Sequence, residues 1–449
     1  MLKSRRPLIV VLVLIVVVCA VWGREAVIRL AISGSHPFEL DRFYRQDVSW
    51  HGCRERLDEV GARCADITVP LDYDRPRGRT LTLTVTRRLG TDSDHHQGTL
   101  VIDTGNAGNG VLAVLQGLTP VMSHGSPTVA ARYDLVSVSG RSAKLDCGWP
   151  AVAPAAAPDR RSFEASVATA KDLASRCANV KDLLPYVSTR VNAQDVDVVR
   201  SALLTDRVSY LGWSYGGYLG AVYAQMFPEH VRRVVLDSAL DPAAAPSGKP
   251  DAAALANWAR WAAERDATYH LGASEDQVLA GVKQTPPGLL RIDVDTDEAY
   301  AAFTARVQAR TGAEGPTAGE VAVRCADRPV SKDPETYYRD IQTHLRDEPL
   351  FGPLERNVTP CAFWPAEPAK GPVRIGSNVP ALLVGASGDP VGGQQGIHRA
   401  LTRSRLVTLD GAFRHRVYLF DGNKCVDKAV DDYLLAGTLP STDQTCTRS

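Results

Sequence analysis

The sequence predicts an α/β fold: a mostly parallel central sheet interrupted by a large helical insertion. Three observations predict it. Short apolar runs such as 208–211 and 231–236 suit strands covered on both faces. Segments with helical periodicity lie between those runs. From about 241 to 373 the pattern becomes Ala-rich, Pro-punctuated and mostly helical. The 449 residues also exceed a single core of about 250–300 residues, leaving room for an added lobe.

Taken in order, 24–50 reads as a linker or short leading helix around Phe38, Phe43 and Tyr44. Segments 67–70 and 81–87 read as strands. The second alternates Leu81, Leu83 and Val85 with Thr82, Thr84 and Thr86, so one face is apolar. The Asp74-Arg75-Pro76-Arg77-Gly78 stretch turns the chain between them. Further strands are predicted at 99–102, 133–138, 208–211, 231–236, 380–384 and 404–409. Helices are predicted at 166–177, 192–204, 218–227, 252–263 and 426–435. The expected plan is a leader (1–23), a linker (24–50), a first core part (51–241), a helical cap (242–375) and a second core part (376–449).

Basic and acidic side chains number 51 each. With no basic stripe, nucleic acid is excluded as a partner. At the N-terminus Lys3, Arg5 and Arg6 precede fifteen apolar residues, 8–22. This is the pattern of an export signal. The same stretch, if uncut, would anchor the chain in a membrane and leave its bulk outside, so membrane attachment is expected only through this segment and a transmembrane anchor stays open. One of nine cysteines lies there, which leaves eight, an even number in a chain expected to leave the cytosol. Pairing neighbours is the simplest arrangement: Cys53 with Cys64, Cys147 with Cys177, Cys325 with Cys361, and Cys425 with Cys446. No C-x-x-C or H-E-x-x-H string occurs, so neither a metal nor another cofactor is expected.

The chemistry centres on Gly212-Trp213-Ser214-Tyr215-Gly216-Gly217. A strand precedes it and a helix follows, the setting in which G-x-S-x-G forms a nucleophile elbow. Ser214 is the candidate nucleophile. A hydroxyl needs a base, and in this fold acid and base follow the serine in that order. His415, after the last predicted core strand, is the candidate base. Arg414 and Arg416 flank it and would oppose an imidazolium if they faced the ring. Asp389, at the end of the preceding strand, is the candidate orienting acid, with Asp237 as competitor. The oxyanion needs backbone donors. Tyr215 is one candidate, and Asn106 and Ala107 in the Gly105–Gly110 loop are the others. Trp258 and Trp261, three apart on one helix face, fit either cap core or a substrate channel.

Several separated strings resemble the secreted α/β-hydrolases of the tripeptidyl aminopeptidase type, known from actinobacteria and related to proline iminopeptidases. These are the run from Cys64 to Tyr73, the elbow with Phe227-Pro228 and Val235-Leu236-Asp237, and Cys361 with Trp364-Pro365. Gly385 to Pro390, and Cys425, Tyr433-Leu434, Gly437, Leu439-Pro440 and Cys446, complete the likeness. It implies an α/β-hydrolase fold with a helical cap and roles of nucleophile, acid and base for Ser214, Asp389 and His415. It also implies metal-free release of short peptides from free N-termini, with the amine held by acids near the cap. Glu264, Glu298, Glu320 and Asp327 are the candidates for that task. The chain departs from the family at Asp103-Thr104-Gly105-Asn106-Ala107-Gly108, at Ser137 to Ser142, at Val391-Gly392-Gly393, and at Phe413-Arg414 before the histidine. Three outcomes follow: a peptidase of changed specificity, an esterase acting on small esters, or a weakened hydrolase kept for binding.

Overall fold

The computed structural model describes residues 38–53, 61–105, 125–150, 156–310 and 315–448. Nine strands form one sheet in the order β1-β2-β4-β3-β5-β6-β7-β8-β9. They are β1 (Ala62–Pro70), β2 (Thr80–Arg88), β3 (Thr99–Asp103), β4 (Asp134–Val138), β5 (Val208–Trp213), β6 (Val231–Asp237), β7 (Ala381–Ala386), β8 (Ser404–Asp410) and β9 (Gln444–Thr447). β2 runs antiparallel to both β1 and β4. Every pairing from β4 across to β9 is parallel.

Helices of eight residues or more are α1 (Arg160–Arg176), α2 (Thr189–Ala202), α3 (Tyr215–Met226), α4 (Lys249–Ala263), α5 (Glu275–Val282), α6 (Asp297–Ala309), α7 (Ala318–Asp327), α8 (Pro334–His344) and α9 (Lys424–Ala436). The strand period of two sorts the core into two layers. Leu100, Ile102, Leu211, Trp213, Leu382 and Val384 pack with α9 on one face. Val101, Val208, Tyr210, Leu236 and Leu383 pack with α2 and α3 on the other. Both faces are covered, which is why these strands read as continuous apolar runs. The architecture is an α/β-hydrolase fold. Between β6 and β7 the described chain is helical and carries its own core around Leu255, Trp258, Phe303 and Phe351.

Of the two readings of 24–50, the described part shows the short helix at 38–44, with Phe43 and Tyr44 buried against β1, β2 and α2. One expectation changes. The transmembrane expectation is corrected: among the described residues no helix is long and apolar enough to cross a membrane. The segment on which that expectation was placed, 1–23, lies outside the described residues.

The structure pairs Cys53–Cys64, Cys147–Cys177, Cys325–Cys361 and Cys425–Cys446. The third bridge fastens α7 to the turn Pro360–Phe363, and the fourth ties β9 to α9. Each bridge is expected to contribute roughly 2–4 kcal/mol. Reduction should therefore lower the urea midpoint, and thiol counting on the unreduced protein should find none of the eight free. Several free thiols would refute the pairing.

Candidate active site

β5 ends at Trp213, and Ser214 follows with φ 56° and ψ −123°. That backbone is costly for a residue with a side chain and persists because its surroundings impose it. The Ser214 N–H donates to the Asp237 carbonyl at 2.9 Å, and its carbonyl accepts from Gly217, Tyr218 and Leu240. The turn closes tightly enough that a Cβ on Gly212 would lie 2.3 Å from the Gly216 carbonyl oxygen. Only glycine fits such an approach.

Asp389 follows β7, and His415 lies in the loop after β8. Asp389 is 7% exposed and His415 7%. His415 Nδ1 lies 3.0 and 3.2 Å from the two Asp389 carboxylate oxygens. Its Nε2 is buried with no partner among the described residues. The Asp389 carboxylate is steadied by the Val391 N–H at 2.9 Å. The flanking arginines turn to other work. Arg414 binds Asp421 at 2.9 Å and the Phe420 carbonyl. The Arg416 guanidinium lies over the Phe420 ring at 5.3 Å.

Asp237, the competing acid, has a different task. It accepts hydrogen bonds from the N–H groups of Val417 and Tyr418 and from the Ser238 hydroxyl. Burial pushes its carboxyl up to about 6 against these donors. It holds the segment just beyond His415. The cap helps on the other side: Asp293 carbonyl accepts the His415 N–H at 2.8 Å, and Asp295 accepts the Phe413 N–H at 2.6 Å. The Phe413 ring packs over Gly388, where a Cβ would lie 2.6 Å from it. The aromatic residue before the histidine is thus accommodated by a glycine in the acid loop.

The oxyanion candidates divide. Asn106 and Ala107 lie outside the described residues. The Tyr215 N–H stands at the start of α3. Gly105, with φ +86°, presses against it: a Cβ there would lie 3.1 Å from Tyr215 N and 2.3 Å from the Trp213 carbonyl oxygen. The Tyr215 phenol is pushed well up by burial and shares hydrogen bonds with Thr189 and Asn192.

The proposed substrate-binding residues are not gathered in the same way. Trp258 is closed inside the cap core, its indole N–H donating to Thr304 at 3.0 Å. That corrects its reading as a channel residue, because a fully buried ring lines nothing. Trp261 donates to Asp297 at 2.6 Å and packs against a tilted Tyr269 ring and edge-on against Tyr300. Glu264 is exposed beside Arg265. Glu298 is exposed, and Glu320 closes the capping box of α7 with Thr317. Asp327 is the one of the four candidate acids that reaches toward the elbow. Its carboxylate accepts from the Thr189 hydroxyl, which also contacts the Tyr215 phenol. Burial pushes Asp327 up to about 6.

Residue-by-residue reading of the sequence missed Arg141 with Asp195, and Asp103. Arg141 is fully buried and binds both carboxylate oxygens of Asp195. The only local signal was an arginine directly after Gly140 in the loop following a core strand. Asp103 carried none beyond closing a strand.

Residues 348–446 match the family model described as TAP-like protein. The tripeptidyl aminopeptidase of Streptomyces lividans is 30% identical over 478 aligned residues, spanning 90% of this chain and 87% of that protein. Serine protease Hip1 of Mycobacterium tuberculosis is 27% identical across 89% of this chain and 91% of its own. Carboxylesterase B of the same species is 28% identical across 89% of each. Sheet order, capped architecture and near full-length similarity agree, and the chain belongs to the α/β-hydrolase family that includes the Streptomyces tripeptidyl aminopeptidases.

Proposed function

We propose that the chain is an exported serine exopeptidase that releases short peptides from free N-termini through an acyl-enzyme. The observation that carries this reading is the His415 imidazole. One nitrogen is held by Asp389, and the other is buried without a partner among the described residues. A ring oriented in this way is equipped to take a proton at Nε2. Ser214 Oγ attacks the carbonyl carbon and its proton passes to Nε2. The resulting imidazolium is balanced by Asp389, and the oxyanion is received by the Tyr215 N–H. The imidazolium then protonates the departing amine, and water attacks the acyl-enzyme by the same route. The names of the Streptomyces and Hip1 relatives support peptide as substrate. Four disulfides support a compartment outside the reducing cytosol.

An esterase is the second reading, favoured by the similarity to carboxylesterase B. One panel separates the two: wild type and Ser214→Ala on unblocked and N-acylated tripeptidyl p-nitroanilides and on p-nitrophenyl esters. Turnover of the unblocked amides is expected, with kcat/KM falling at least tenfold on acylation. Ester turnover alone would establish the esterase. Absence of amide turnover, with Ser214 still labelled by a fluorophosphonate, would refute the peptidase.

A further inference from the structure

Asp103 closes β3, two residues before Gly105, which faces the elbow. Its Oδ1 accepts the Gly105 N–H at 2.8 Å. A Cβ on Gly216 would lie 2.7 Å from that same oxygen, so the carboxyl abuts the first turn of α3. Gly105 itself presses on the elbow, where its Cβ would lie 2.7 Å from Ser214 Cβ. A carboxyl therefore stands immediately behind the amide that would meet a developing oxyanion.

Its surroundings do not favour a negative charge. Among the described residues no cation pairs with Asp103. Its titratable neighbours among the described residues are Tyr210 on β5 and Tyr215 on α3, both kept neutral by burial, and Asp195 on α2. Asp195 is already committed to Arg141 and the Tyr73 hydroxyl. Asp103 shares a small cavity with Ser139, Ser142 and Asn192. Ser142 Oγ and Asn192 Oδ1 are buried there without partners, while Asn192 Nδ2 is used on the Tyr215 hydroxyl. Asn192 Oδ1 can only accept, so beside a carboxyl it suits the protonated form and opposes the anion, whereas the Ser142 hydroxyl can donate or accept and favours neither. Desolvation acts in the same direction and pushes Asp103 up to about 6.

We propose that Asp103 is a proton switch on the oxyanion site: protonated it leaves that site free of negative charge, and ionised it opposes the oxyanion that Ser214 creates. The inference rests on the serine-hydrolase reading of Ser214 and is independent of whether the substrate is a peptide. A like charge this close, in a partly desolvated site, slows attack by roughly tenfold.

The test is the pH dependence of labelling by an alkyl fluorophosphonate between pH 5 and 8, on wild type, Asp103→Asn and Asp103→Ser. Labelling joins Ser214 Oγ to phosphorus, passes the hydroxyl proton to His415 Nε2, expels fluoride and builds negative charge on the phosphoryl oxygen in the transition state, so it reports on the same site. The ratio of Asp103→Asn to wild-type rate constants cancels the contribution of His415. It is expected to lie near one at pH 5 and to rise to about ten at pH 8. A ratio that is constant with pH, or below one throughout, would overturn the proposal. Asp103→Ser keeps an acceptor for the Gly105 N–H and should behave like the asparagine variant. If neither variant folds, the wild-type profile decides: a descending limb above pH 6 supports the switch, and a monotonic rise overturns it. Absence of labelling in wild type would remove Ser214 as nucleophile and the switch with it, whereas labelling with a pH-independent ratio removes only the switch.

Discussion

Ser214→Ala is expected to lower kcat on an unblocked tripeptidyl amide by roughly 10⁴-fold or more, with little change in KM. In the proposed mechanism the hydroxyl is the group that forms the acyl bond, so nothing else in the site substitutes for it. His415→Ala should fall about as far. The double variant should be scarcely worse than either, because nucleophile and base act as a unit. Asp389→Asn tests the orienting contact at 3.0 Å from Nδ1. An amide there presents a donor as well as an acceptor, and it does not balance the imidazolium. The loss should again be about 10⁴-fold. Asp237→Asn is the control, since its carboxylate binds Val417, Tyr418 and Ser238 rather than His415. It should alter stability more than the response of rate to pH. Steady-state kinetics on wild type and the five variants settle the matter. Retention of more than a few per cent of kcat by Ser214→Ala would refute its role.

Arg141→Met is expected to destabilise the fold by about 3–5 kcal/mol. Arg141 makes hydrogen bonds at 2.7 and 2.8 Å to Asp195, and at 2.6 Å to the carbonyls of Leu71 and Pro70. Burial by itself would weaken its hold on the proton, but Asp195 beside it more than compensates. Removing the guanidinium strands a carboxylate that is itself almost fully buried. Its remaining side-chain partner is the Tyr73 hydroxyl. Two carbonyls at the end of β1 also lose their donor. Arg141→Lys should rescue little, because an ammonium lacks the planar fork that serves Asp195 and two carbonyls together. A double variant, Arg141→Met with Asp195→Leu, should recover part of the loss by removing both charges. The measurement is the urea midpoint with its slope. A loss below about 1 kcal/mol for the single variant would show that Asp195 had neutralised itself by taking a proton.

Much of the fold was legible because its signals are local. β5, the elbow and α3 follow from an apolar run, two close-fitting glycines and a small-residue helix in direct succession. β2 announced itself by alternation, and the helical insertion by a change of rhythm between β6 and β7. Illegible pieces were those stabilised from elsewhere. β9 reads Gln444-Thr445-Cys446-Thr447, with no apolar alternation. It pairs with β8 and is tied to α9 through Cys446. β1 begins at Ala62, several residues before its apolar run, since antiparallel pairing with β2 continues to Arg88.

The candidate site divides along the same line. Sequence by itself determined the candidates for the chemistry, because an elbow needs a serine between glycines and the acid and base must end later strands. Tertiary structure alone decided which groups face one another. It set Asp389 against His415 and turned Asp237 to the loop beyond. It closed Trp258 inside the cap and brought the carbonyl of Asp293 onto the backbone of His415. It also placed Asp103 behind the elbow, with no cation paired to it among the described residues. The physical reason is range. Backbone preference acts over a few residues, whereas desolvation and charge pairing depend on neighbours far along the chain, 26 positions apart for Asp389 and His415 and 180 for Asp237 and Val417.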